Sequence, residues 1–248
     1  MAVQRYLSKA PITEAVFDVR ITPIPGVGIT ELKKVSDFFL EQYPKVEDIH
    51  KVEGFVQFDL KTSESHSSIE KGHYGYKQIS NDGKEIIQVK INGLTFSRLY
   101  PYTKWDELLD KFKYFFDIYS KCFGNVNIVR AAVRYINHLD IPLPVSNLSE
   151  YISVLPLVPG SDEFTLTTFL SKVIVHYPSS NIKANITCAI DKSTSPGHIR
   201  LLLDNDVYLE EGCGIGSEGL WGLFGELHRV KNMLFFESIT EEAARLYE

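Results

Sequence analysis

Four side chains able to do chemistry fall on one side of a single segment, RAAVRYINHLDIP: Arg130, Arg134, His138 and Asp140. Ala131, Val133, Tyr135, Leu139 and Ile141 fall on the other side, with a slip at Ile136 and Asn137. A period of two is the pattern of a half-buried strand. Two guanidiniums, an imidazole and a carboxylate in a row suit either an ordinary wet sheet face or the wall of a binding site. Other segments repeat the theme. Pro11–Ile21 offers Glu14, Asp18 and Arg20; later strands offer Lys90 and Arg98, Lys172 and His176, and Lys183 and Asn185. If these strands are neighbours in one curved sheet, basic groups gather on its concave face and can hold a small anionic ligand or a partner's acidic segment. The competing reading is a solvated face laced by cross-strand ion pairs, such as Asp18 with an arginine. The candidate ligand- or partner-binding set is therefore Asp18, Arg20, Arg98, Arg130, Arg134 and His138. Arg134 sits midway along a long strand. If partly buried it needs a carboxylate, and the acids of Pro11–Ile21 are the candidates.

Other constellations are weaker. Gly214-Ile215-Gly216-Ser217-Glu218-Gly219 matches GxGxxG and precedes a helix. A dinucleotide site also needs a surrounding βαβ unit and an acidic residue on a second parallel strand. Neither is present, so the stretch reads as a flexible loop and no cofactor is expected. The seven histidines, His50, His66, His73, His138, His176, His198 and His228, include no i, i+4 pair, and no cysteine lies at ligand spacing from one. No metal is expected. His228, beside Leu227 and Val230 in a helix, reads as a histidine with one satisfied hydrogen bond. No serine stands in a GxSxG elbow. Cys213, between two glycines, has no base to activate it.

The elements that must position these residues follow from the pattern. Pro11–Ile21 alternates and is a strand, preceded by a loose lead-in over residues 1–10. Thr30–Tyr43 reads as a helix closed by Pro44. Val52–Leu60 is a strand, and the Ser-rich stretch 61–72 a solvent loop. Tyr74–Ser80, Glu85–Ile91 and Thr95–Tyr100 form a meander turned at Asn81-Asp82-Gly83 and Asn92-Gly93. Thr103–Phe123 is the clearest helix, with Thr103 as cap, a thick aromatic stripe and Gly124 as its end. Val126–Ile141 is a long strand whose slip suggests a bend or bulge. Leu148–Val154 reads as a short helix. Phe164–Tyr177, Ile182–Ile190 and Ile199–Leu209 are strands. Helices at Leu220–Phe236 and Ser238–Glu248 follow, the last capped at Thr240. Tight hairpins force antiparallel pairing. The class is α+β: a large antiparallel sheet built from meanders, with amphipathic helices on one face. Two similar halves are hinted, with a boundary near residues 142–147 inside one domain spanning 1–248.

Composition limits the partners. The 248 residues are 44% hydrophobic, 23% charged and 12% aromatic, a globular balance with a core built on Phe and Tyr. A formal net charge of -6 gives no general attraction to nucleic acid or to an anionic membrane. No run approaches the length of a membrane span and no signal peptide is visible. Three cysteines without CxxC spacing suit a reducing, cytoplasmic setting.

Three stretches carry a resemblance: PITEAVFDVRI, VRAAVRYINHLDIP and LHRVKNMLFFESITEEAARLYE. The Arg-Tyr-Ile-Asn core (Arg134 to Asn137) and the Leu227-His228…Phe236-to-Thr240 ending are its most specific parts. The chain resembles a sporadically distributed, uncharacterised prokaryotic protein family of similar length, over nearly its whole extent. The resemblance implies no activity, cofactor or catalytic residue. Its patchy distribution implies horizontally moved genes and, by association, a role in defence or a toxin–antitoxin type of pairing. The leading expectation is a non-enzymatic binding or regulatory module acting through the polar sheet face or a protein partner. The alternative is an enzyme for an anionic, phosphate- or nucleotide-containing substrate in a sheet-lined cavity. A homodimer through sheet edges or the C-terminal helices is compatible with both.

Overall fold

The computed structural model describes every residue except 59–64, 125, 157–165 and 211–216, and only the backbone at 52–58, 65–71, 217 and 218. Cys213 and the first glycines of GxGxxG, Gly214 and Gly216, therefore lie outside the described residues.

One antiparallel sheet of nine strands runs through the molecule, in the order β2-β3-β4-β5-β1-β6-β9-β8-β7. The strands are β1 (Ile12–Ile21), β2 (Lys45–Phe58), β3 (Ser65–Ile79), β4 (Glu85–Lys90), β5 (Gly93–Leu99), β6 (Ile128–Pro142), β7 (Leu170–Tyr177), β8 (Ile182–Asp191) and β9 (His198–Glu210). Among the described residues, four helices cover one face: α1 (Ile29–Asp37), α2 (Trp105–Phe123), α3 (Ser217–Ser238) and α4 (Glu241–Arg245). The fold class read from the pattern is the one observed.

The two halves wind alike. The chain lays down β1, passes through α1, then returns by the meander β2-β3-β4-β5 until β5 pairs with β1. It repeats the course from β6, returning by β7-β8-β9 until β9 pairs with β6. β1 and β6 join the halves antiparallel. The second winding begins at β6, after Gly124 ends α2.

Alternation explains the layers. Ala15, Phe17, Val19 and Ile21 of β1 and Ala131, Val133 and Tyr135 of β6 face the helices and are buried. Leu108, Leu109, Phe112, Phe115, Phe116 and Tyr119 line the buried stripe of α2. Phe17 is the hub, with ring centroids 5.0 Å from Trp105, 5.6 Å from Phe112 and 6.1 Å from Phe224. Gly93 allows β5 to close against β1: its φ is +146°, and a Cβ there would sit 2.0 Å from the Val19 carbonyl oxygen.

Several local expectations change. Ser65–Gly72, read as solvent loop, is strand and continues the β2–β3 hairpin. Lys104, not Thr103, holds the N-cap position of α2, and no side chain caps it. The slip at Ile136–Asn137 is not a break in β6, whose register with β9 runs unbroken from Arg130 to Pro142. The irregularity lies on β1, where pairing shifts between Ile12 and Glu14. Asn137 simply continues the inward alternation. It is 1% exposed and donates through Nδ2 to the Leu203 carbonyl at 3.0 Å.

Candidate functional site

The open face of the sheet, away from the helices, carries most of the predicted polar set. Asp18 is its centre. Oδ1 accepts from Thr95 Oγ1 at 2.6 Å and lies 3.4 Å from Lys90 Nζ; Oδ2 lies 3.0 Å from Arg130 and 3.3 Å from Arg20. Arg130 reaches across to Asp206 with two contacts of 3.0 Å and lies over the Tyr208 ring at 4.6 Å. Burial alone would raise the Asp18 pKa, but Lys90, Thr95, Arg130 and Arg20 together hold it below the usual value. Arg134 takes its carboxylate from β9: Nε and Nη2 bind Asp204 at 2.8 and 2.6 Å. The acids of β1 are not its partners. His138 lies further along the same strand between Thr13 Oγ1 (2.9 Å) and Asp191 (3.1 Å). Arg98 is not on this face. It bonds Glu85 at 3.2 Å under α2, where Tyr43 and Lys111 meet the same carboxylate at 2.6 and 2.5 Å.

So the structure brings Asp18, Arg20 and Arg130 together, sets Arg134 and His138 beside them along β6, and removes Arg98 to the opposite face. A depression of about 240 Å³ on the open face is lined by four cations, Arg20, Lys90, Arg130 and Arg134, and by three carboxylates, Glu14, Asp18 and Asp206. Charge here is interleaved, as in the ion-paired reading.

A different constellation lies between the helices and the sheet. A cavity of about 720 Å³ is walled by residues 4–12, by the 100–105 loop, by Asn137 of β6 and by His228, Lys231, Asn232, Phe235 and Phe236 of α3. Positions i, i+3 and i+4 share one side of a helix, which places His228, Lys231 and Asn232 together. Residues 1–10 are not loose. Ala2 N donates to the Phe236 and Ile239 carbonyls at 3.0 and 2.9 Å, Lys9 N donates to Tyr247 at 3.0 Å, and Leu7 is buried. Arg5 is clamped between Glu241 (2.9 Å) and Glu248 (2.7 Å).

Lys231 is the unusual member. The residue is 5% exposed, its Nζ donates to Asn232 Oδ1 at 2.5 Å, and it lies 3.7 Å from the centre of the Tyr135 ring. No carboxylate belongs to the described lining; its charged groups are Arg5, Lys9, Lys104 and Lys231. Burial pushes the Lys231 pKa down to about 7. Asn232 Nδ2 donates in turn to His228 Nε2 at 3.2 Å. Burial, then the Lys231 charge, push His228 down to about 3, so its imidazole is neutral at physiological pH. It stacks on Trp105 with ring centroids 3.9 Å apart and planes 2° from parallel. The Tyr102 and Tyr135 hydroxyls bond each other at 3.1 Å, and burial raises both phenol pKa values. Across from Tyr135 on β9, Asn205 is fully buried and its amide meets no hydrogen-bond partner among the described residues.

The chain matches no protein-family model and no curated protein. Among the described residues there is no helix long and apolar enough to cross a membrane, and no cluster of three His, Cys, Asp or Glu that could hold a metal.

The predicted set did not include the cavity. Its sequence signal is nonetheless visible: Leu220, Phe224 and Leu227 form the buried stripe of α3, and Lys231 takes the next place at i+4. A lysine on an apolar stripe is the anomaly to look for.

Proposed function

We propose that the protein binds a compact anionic small molecule in the cavity between α3, the central strands and residues 4–12. The observation that carries this reading is the lining: cations at the rim and at depth, and no acid among the described residues. Arg5 already has two carboxylates, which leaves Lys9 and Lys104, both exposed, and buried Lys231. A buried ammonium without a counter-ion is costly, and an anionic ligand supplies one. The stacked Trp105–His228 pair and the tyrosines favour a ligand with a flat apolar part. A volume of about 720 Å³ is within the usual range for small-molecule sites. This keeps the binding-module expectation and moves it from the open face to the interior.

Benzoate is the simplest probe, being flat and anionic. Titration followed by Trp fluorescence should saturate, because Trp105 lines the cavity. Lys231→Met should weaken binding about tenfold or more, the usual cost of an unmatched charge in a dry site. If benzoate, phosphate and related anions neither quench fluorescence nor raise the melting temperature, the reading is wrong.

A further inference from the structure

We propose that Lys231 captures the carbonyl group of an anionic aldehyde or keto compound as an imine. The inference rests on the cavity reading above and deepens it by naming the substrate class.

An amine nucleophile must be neutral, dry and reachable from the substrate space. Lys231 lines the cavity and is nearly fully buried. The groups facing that space come from every surrounding element. α3 supplies His228 and Asn232, β6 supplies Asn137, the 100–105 loop supplies Tyr100, Tyr102 and Lys104, and residues 4–12 supply Arg5, Tyr6 and Lys9, while the Tyr135 ring packs beneath the amine. Each is neutral or cationic, so nothing in the described lining holds a proton on the amine. Desolvation of a lysine in such a place is the usual way to make it nucleophilic near neutral pH, and the lowered pKa agrees. The rim lysines Lys9 and Lys104 can meet the carboxylate of a substrate whose carbonyl end lies deeper.

The step balances without a further reagent. The Nζ lone pair forms the C–N bond as the carbonyl π pair moves to oxygen. That oxygen takes both amine protons and leaves as water, and the C=N bond forms. Tyr102 lines the cavity and is held protonated by burial, so it supplies an O–H donor for the departing oxygen.

The test treats the full chain with 4-carboxybenzaldehyde and sodium cyanoborohydride at pH 7. Reduction should fix one adduct, mapped by peptide mass spectrometry to Lys231. At that pH its neutral fraction exceeds that of a surface lysine by about a thousandfold, and labelling should be about tenfold faster or more even after allowing for lower basicity. Benzoate should compete, and the labelling rate should rise with a midpoint near pH 7. Lys231→Arg keeps the cation but cannot form the imine, so it should bind benzoate and lose the adduct. Should that variant fail to fold, competition and the pH profile in the unaltered protein carry the decision. Benzoate binding with no adduct, or with label scattered over surface lysines, overturns the imine and leaves the cavity reading standing. Absence of both binding and adduct overturns the two together.

Discussion

The two sides of the sheet hold comparable polar equipment and use it differently. On the open face Asp18 is met by Lys90, Arg130 and Arg20, Arg130 by Asp206 and Arg134 by Asp204. On the helix side Lys231 has an aromatic ring and an amide oxygen but no acid among the described residues. A matched network can be left alone: its attraction offsets its desolvation, and it fixes strand register. An unmatched buried charge persists only against a cost that the rest of the fold must cover. The imbalance, not the number of charged residues, is what marks a site.

The sharpest way to break this contrast is Asp18→Ala. Asp18 is 7% exposed, and its loss takes from half-buried Lys90 its carboxylate and leaves buried Arg130 to Asp206 and Glu210. Removing one partner of a buried pair costs about 3–5 kcal/mol, which urea denaturation would register. Benzoate binding to the variant should be unchanged, because Asp18 is on the other side of the sheet. Acid adds a second readout. The folded Asp18 pKa lies below its unfolded value, so its contribution is present above about pH 4 and is lost as pH falls through the folded pKa. Asp18→Ala should lack that part of the acid transition. A variant that stays stable but loses anion binding would place the site on the open face.

The same contrast explains what the chain's pattern disclosed and what it hid. Sheet, helices and order were legible because alternation at β1 and β6 and the aromatic stripe of α2 are strong, local signals. The pairing of Asp18 with an arginine was legible too, but the β9 acids that also hold Arg130 and Arg134 were not, because they lie some seventy positions away. Arg98 was put on the wrong face because it follows Phe96 in the inward phase of β5, where a charge is admitted only beside Glu85. The cavity was missed for an instructive reason. Asn137 interrupted an apolar series and was taken as a change in backbone, when the backbone was regular and the chemistry had changed. Lys231 gave the same signal on α3. A polar residue in phase with a buried stripe is a better pointer to a site than a row of charges in phase with solvent.

Lys231→Met tests the other half of the comparison with an effect of opposite sign. The folded lysine pKa of about 7 is below the unfolded value near 10.5. Below pH 7 both states carry the proton, and the folded state bears the full cost of a buried ammonium. Between about 7 and 10.5 only the unfolded state keeps it, so stability rises with pH, by about 1 kcal/mol per unit for one proton. Methionine fills similar space without charge. The variant should be more stable by about 1–4 kcal/mol at pH 6, with its advantage shrinking toward pH 10. Urea midpoints at pH 6 and pH 9 decide it. A destabilised variant with an unchanged pH slope would mean that Lys231 is structurally matched after all.

Arg134→Ala should do least, although this residue drew most attention in the sequence. Its fork on Asp204 is bidentate, but the arginine side chain is 46% exposed. Water can replace it at the carboxylate, unlike the case of Asp18, whose partners Arg130 and Lys90 are enclosed. Pairs of this kind contribute about 1 kcal/mol or less. The melting temperature should fall by a few degrees at most, and 1 M salt, which screens exposed charges, should narrow the gap to the unaltered protein. Benzoate affinity should not move. A loss as large as that of Asp18→Ala would show that the open face acts as one cooperative unit out to Arg134, and the division drawn here between enclosed and exposed pairs would have to be redrawn along β6.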